Sequence, residues 1–139
     1  MKGNYCTLVR SLRRGTFVLA GRGENRRTLI HEDDVGRAAV LAAESEAVVG
    51  SVFNVTDGSV HTMAEIVASI CKTLGRKPPR FHLPLSVVRA VAFGPVRALL
   101  DKYVEDLAVD GSRFQQVTGF VPCVDLQSGW QRALKTACK

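Results

Sequence analysis

SVFNVT, residues 51–56, sets the tightest limit on the fold. It is β-branched and carries apolar side chains at positions 52, 53 and 55, the character of a strand with neighbours on both sides. Few other segments qualify as flanking strands. FVLA (17–20) is short, RTLIH (27–31) is little longer, and RFHLP (80–84) is a brief extended piece after the break at Lys77-Pro78-Pro79. The rest of the chain reads as helix. Three or four short strands, separated by long helical stretches, are too few for a self-sufficient doubly wound sheet. An α/β unit that is mostly helical is expected, with 51–56 left looking for partners.

The helical segments carry clear boundaries. Residues 3–14 show an apolar stripe through Leu8, Val9 and Leu12, while Arg10, Arg13 and Arg14 share another face, and Gly15 ends the run. Asp33 or Asp34 is expected to cap DVGRAAVLAAES, where acidic residues suit the positive end of the helix dipole. Thr62-Met-Ala-Glu65 has the form of a capping box for TMAEIVASICKTL, stopped by Gly75. PLSVVRAVAF opens with a proline and is interrupted at Gly94-Pro95, after which VRALLDKYVEDLA resumes. Asp110 or Ser112 is placed to cap SRFQQVTG, and Asp125 starts the last helix.

With 139 residues and no repeat or linker, the whole chain 1–139 reads as one domain. No apolar run reaches the length of a bilayer span. The first residues, MKGNYCTLVRSLRR, lack the apolar stretch of a secretory signal, so a cytoplasmic location is expected. The cysteines, Cys6, Cys71, Cys123 and Cys138, show no zinc spacing and read as free thiols. His31-Glu-Asp-Asp34 groups potential metal ligands, but successive residues of a strand point to alternate faces and do not converge on one ion. No metal is expected. The Asn54-Val-Thr56 sequon falls in the segment read as a buried strand and is set aside. His61 and His82 are read as isolated histidines without a Ser, Cys or Asp partner at a telling spacing.

The net charge of +6 comes from one region. Residues 1–27 hold seven basic side chains against Glu24, whereas the remainder is balanced. A basic patch on a neutral body suits an anionic partner, and nucleic acid and phosphorylated small molecules both qualify. Only Tyr5 and Phe17 lie near the patch, which disfavours a stacking platform for single-stranded nucleic acid.

Six segments in order, LVRSLRRG, FVLAG, NRRTLIHEDDVGRA, SVFNVTDG, TMAEIVASICKTLG followed by KPP, and SRFQQVTGFVPCVDLQSGWQRAL, carry a resemblance. The chain resembles the C-terminal, substrate-binding half of an extended short-chain dehydrogenase/reductase of the NAD-dependent nucleotide-sugar epimerase/dehydratase kind. It is most similar to UDP-glucose or UDP-N-acetylglucosamine 4-epimerases. The family's N-terminal Rossmann half has a Gly-rich dinucleotide turn, which GRGENR does not reproduce, and a catalytic Tyr followed four residues later by Lys. Here Tyr5 is followed at that offset by Val9, and Tyr103 by Leu107. The resemblance therefore implies a nucleotide-sugar-binding part that holds no NAD itself and is inactive alone, with no catalytic residue of its own.

The resemblance also implies site residues. Arg27 would reach the diphosphate, for which a guanidinium fork is well shaped. Read from the residues alone, Arg26 and Arg27 are solvated charges or partners of Asp33 and Asp34. Val18 and Ala20 would read uracil through their backbone, the alternative being an ordinary edge strand. Asn4 would face substrate or simply cap a helix, and Lys102 would supply a late contact to diphosphate or ribose. Two other functions stay open: a regulatory module docking on a separate Rossmann polypeptide, and a small nucleic-acid-binding protein using Arg10, Arg13 and Arg14. Without its sheet, the segment 51–56 is expected to expose Val52, Phe53 and Val55 and to promote self-association.

Overall fold

A computed structural model describes residues 4–79, 82–84, 86–87, 90 and 104–136. Helix α1 (Asn4–Arg14) leads into strand β1 (Leu19–Ala20), and a glycine-containing turn leads on to strand β2 (Arg26–Arg27). Helix α2 (Glu32–Glu44) and a single 3-10 turn (Glu46–Val48) follow. After an extended segment come strand β3 (His61–Thr62) and helix α3 (Met63–Thr73), then strand β4 (His82–Leu83). Helices α4 (Ser112–Thr118) and α5 (Leu126–Thr136) complete the described elements. The helical segments expected at 84–93 and 96–108 lie mostly outside the described residues, and near the end of the second Leu107 forms a bridge to Arg27 instead of continuing a helix.

The architecture is mostly helical with short paired strands, as the sequence implies. β1 and β4 pair in parallel, with Leu19 opposite His82. β2 and β3 pair antiparallel, with Arg26 opposite Thr62 and Arg27 opposite His61. The expected strands shrink to two residues each because their outer residues lack ladder partners among the described residues.

One expectation fails. Residues 51–57 form no strand. Their β-branched character is used for packing instead: Phe53 and Val55 lie against Ala38, Phe114 and Phe120. Phe53 meets Phe114 edge-on at 5.7 Å between ring centroids, and the Arg113 guanidinium covers its ring at 4.9 Å. Only Val52 of the three is exposed as expected, at 91%.

Two apolar clusters hold the molecule together. In the larger, Leu8, Val9 and Leu12 of α1 pack on Ile66, Val67 and Ile70 of α3 and on Trp130 and Leu134 of α5. Ile66 and Ile70 are fully buried, each contributing about 1.5–3 kcal/mol relative to exposure. Tyr5 meets Trp130 edge-on at 5.5 Å. The smaller cluster joins α2, α4 and Phe120.

Asp34 connects the two regions, and not as a helix cap. His31 takes the N-cap position of α2, its Nδ1 accepting from the Asp33 amide. Asp34 is fully buried within the first turn. Its carboxylate accepts from the amides of Cys123 and Val124 at 2.9–3.2 Å and from the Arg37 guanidinium at 2.8 Å. It thereby fixes the loop that delivers the chain into α5. Burial alone would raise its pKa, but the Val124 amide, Arg37 and the Cys123 amide outweigh that and hold it below the ordinary carboxylate value.

Candidate functional site

β2 is pinned along both edges. β3 lies on one side. On the other, Arg26 donates its amide to Asp106 Oδ1 at 2.6 Å, Leu107 donates to the Arg26 carbonyl at 2.8 Å, and Thr28 donates to the Leu107 carbonyl at 3.1 Å. A parallel bridge between Arg27 and Leu107 completes the contact. Arg27 thus occupies the middle of a three-stranded strip, and its side chain is half-buried. Arg26 is exposed, and its side chain points to the opposite face because successive strand residues alternate. Asp34 engages Arg37 and Asp33 engages Arg132 Nη1 at 2.9 Å.

The turn between β1 and β2 lines a cleft of about 300 Å³ formed by Ala20, Gly21, Arg22, Gly23, Glu24, Asn25, Val104 and Asp106. The turn is clamped to the start of α3. Ala64 donates its amide to the Gly23 carbonyl at 3.0 Å, and Met63 donates to that of Asn25 at 3.0 Å. Gly23 has φ +69°, and a Cβ there would lie 2.8 Å from Leu19 Cδ2 and 3.1 Å from the Ala64 nitrogen, so the approach requires glycine.

The structure brings Ala20 to this cleft; Arg27, the second residue of β2, lies beyond the turn and outside the cleft lining. Val18 is 45% exposed just before β1. Asn4 is the first residue of α1. Lys102 lies outside the described residues.

His61 is not isolated. Its Nε2 lies 2.6 Å from Asp57 Oδ2, and both side chains are largely buried, at 13% and 5% exposure. The two residues are four apart around the Gly58 turn, where φ is +80°. An i, i+4 spacing carries a sequence signal only on a helix, so the pair was not visible in the sequence. Asp57 is fixed in turn: its amide donates to the Leu29 carbonyl at 2.8 Å, and its Oδ1 accepts from the Ser59 amide at 3.0 Å. The pair lies on a cleft of about 620 Å³ that also involves Glu65, Lys72 and Asp125.

Among the described residues, no group of three or more His, Cys, Asp or Glu side chains is placed to hold a metal ion. Gly21–Asn25 joins two strands, whereas pyrophosphate binding uses a turn that opens into a helix N-terminus. No described helix is long and apolar enough to cross a membrane.

A helical core bearing short, separated strands is a fold shared with part of solved epimerase-family structures. No family model matches the chain. Individual relatives do. The UDP-glucose 4-epimerase of Vibrio cholerae is 25% identical over 136 residues, covering 95% of this chain and 41% of that epimerase. The human epimerase family protein SDR39U1, solved with NADPH, superposes with a TM-score of 0.75 at 26% identity, covering 97% of this chain and 44% of the other. The UDP-glucose 4-epimerase of Thermotoga maritima, solved with UDP-glucose, shares the fold with a TM-score of 0.67 at 23% identity, covering 99% of this chain and 40% of the other. The chain is a homologue of the UDP-sugar 4-epimerases and of the SDR39U1-type epimerase proteins. It spans about two fifths of the length of the curated relatives it matches, an extent consistent with their C-terminal half.

Proposed function

We propose that this chain binds a nucleotide sugar, with UDP-sugars the favoured class, as the substrate-binding portion of an NAD-dependent epimerase/dehydratase-like protein. Arg27 carries the reading. It stands directly before TLIH, it is held between β3 and residues 106–109, and it follows in the strand that leads out of the turn lining the Ala20 cleft. A backbone pinned on both sides removes part of the ordering cost of presenting a guanidinium to a diphosphate. The backbone of Val18 and Ala20 would meet the base, with Asn4 and Lys102 as further substrate contacts. These 139 residues are proposed not to turn over substrate or hold NAD by themselves, because substrate binding supplies neither hydride acceptor nor acid/base group.

Two measurements test this. In a thermal-shift assay UDP is expected to raise the Tm more than NAD does, and Arg27→Ala is expected to remove most of the UDP effect. Loss of a charged hydrogen-bonding partner is worth about 1.5–3 kcal/mol, or about tenfold or more in affinity. An unchanged UDP shift in Arg27→Ala would remove Arg27 from the diphosphate. Epimerised sugar produced by the purified chain with NAD and UDP-glucose, above an empty-vector background, would overturn the proposed lack of catalytic competence.

A further inference from the structure

We propose that His61, held by Asp57, is a second diphosphate-recognising residue beside Arg27, and that it makes nucleotide-sugar affinity depend on pH. The inference rests on the reading of Arg27 given above and adds a ligand and a mode of regulation to the same site. Its geometric basis is the register of the β2–β3 pair, in which Arg27 stands directly opposite His61. Residues directly opposed in an antiparallel pair project from the same face, with Cβ atoms about 4.5–5.5 Å apart. An anion gripped by Arg27 on that face is within reach of the imidazole.

The imidazole is held in place. Nε2 is 2.6 Å from the Asp57 carboxylate, whose side chain is 95% buried; its Oδ1 accepts from the Ser59 amide, and the Asp57 backbone amide donates to the Leu29 carbonyl. With Nε2 committed to Asp57, the ring presents Nδ1 as its remaining polar atom. Neutral imidazole bonded in this way offers an acceptor at Nδ1, which repels a phosphate oxygen. Imidazolium offers a donor there, which binds one. Phosphate binding therefore selects the protonated ring, and by linkage protonation raises phosphate affinity.

The surrounding charges act in both directions. Asp57, bonded to the ring, and Glu65, on the same cleft, are negative charges that favour imidazolium. Arg27 across the ladder and Lys72 on the cleft oppose it, and Asp125 on the far wall favours it. An incoming diphosphate adds negative charge beside the ring, so protonation and binding reinforce each other. Histidine is the side chain whose charge ordinarily changes between about pH 5 and 8, which sets the range of the test.

The test uses UDP-glucose, whose two phosphates are both diesterified and keep a constant charge over that range. Its affinity for the whole chain is measured calorimetrically from pH 5.5 to 8. About tenfold tighter binding is expected at pH 5.5 than at pH 8. His61→Gln is expected to give a flat profile at the wild-type pH 8 affinity, and Asp57→Asn a smaller gain at low pH. The His61 ring-proton shift, followed by NMR against pH, is expected to move to a higher midpoint when UDP-glucose is added. That readout needs no variant to fold. A flat wild-type profile, a slope retained in His61→Gln, or an unmoved NMR midpoint overturns the proposal. Arg27→Ala separates the two readings. If it weakens binding while the wild-type profile is flat, Arg27 keeps its role and His61 loses its own. If it leaves affinity intact, the diphosphate assignment falls, and with it the site that His61 would share. Absence of wild-type binding at every pH overturns both.

Discussion

Asp34 shows what a single carboxylate does when it is buried with its partners. Asp34→Ala leaves the Cys123 and Val124 amides buried without an acceptor and strips Arg37 of its ion pair. Breaking a buried pair from one side costs about 3–5 kcal/mol, and the half-exposed Arg37 places this case near the lower figure. The Tm is expected to fall by about 10 °C, as read by differential scanning calorimetry. A fall under 2 °C, on the order of half a kcal/mol, would mean that the loop at 121–124 is held by something else. The same carboxylate sets an acid limit. Glu65 is lowered by its bonds from Thr62, Asp110 by those from Ser112, and Asp125 by those from Ser128, alongside Asp34. A carboxylate lowered in the folded state stabilises above its unfolded value and loses that contribution as pH falls through the folded one. Ordinary values are 3.8 for aspartate and 4.5 for glutamate, so stability should hold through neutral pH and decline below about pH 4. Asp34→Asn should be less stable near pH 7 and show a shallower acid decline. An equal slope in both would assign the acid sensitivity to other groups.

Elements divide by whether their determinants are local. The capping box of α3 is present as read: Thr62 Oγ1 accepts from the Glu65 amide at 3.2 Å, and Glu65 Oε2 accepts from the Thr62 amide at 2.7 Å. Gly15 and Gly75 end α1 and α3 with φ of +71° and +66°, and Asp125 accepts from the Gln127 and Ser128 amides at the start of α5. Each signal sits within four residues of what it controls, so composition and spacing expose it. Thr62→Ala should therefore cost about 1 kcal/mol in urea denaturation with an unchanged m-value. A loss below about 0.3 kcal/mol would show the box to be redundant with the packing of Ile66 and Ile70. Contacts set by distant partners were not legible. Asp34 read as a cap because the backbone amides that donate to it lie 89 and 90 residues away. SVFNVT read as a paired strand because β-branching reports a fit to a half-buried surface, not the presence of a ladder. The surface it fits is the Phe114–Phe120 cluster. In the candidate site, Arg27 was named through the family resemblance that NRRTLIH carries, whereas its place opposite His61 depends on a register that no local pattern encodes.

At the scale of the whole molecule, the question is whether these residues satisfy themselves. Both apolar clusters close within the chain: α1, α3 and α5 around one, α2 and α4 around the other. A cooperative thermal transition follows from that closure. The surface beside the second cluster is less complete. Residues 51–57 run extended with Val52 at 91% exposure, Val49 is 76% exposed, and Val40 on α2 is 57% exposed. Within 51–57 the Asp57 amide is bonded to Leu29, and among the described residues the segment forms no ladder. An extended backbone flanked by exposed valines is a template for another extended chain. Phe53 and Val55 are occupied internally, so any association should run through the backbone edge and Val52 rather than through an exposed aromatic face. Light scattering over a dilution series is expected to show reversible association at high concentration. Val52→Lys should shift it toward monomer with little change in Tm, because a residue so exposed contributes almost nothing to the folded core. Monodisperse monomer at every concentration would show that the edge is already blunted. Association unchanged in Val52→Lys would move the contact elsewhere. The two results are separable because the substitution places a charge on the edge without touching the Phe53–Phe114 packing beneath it.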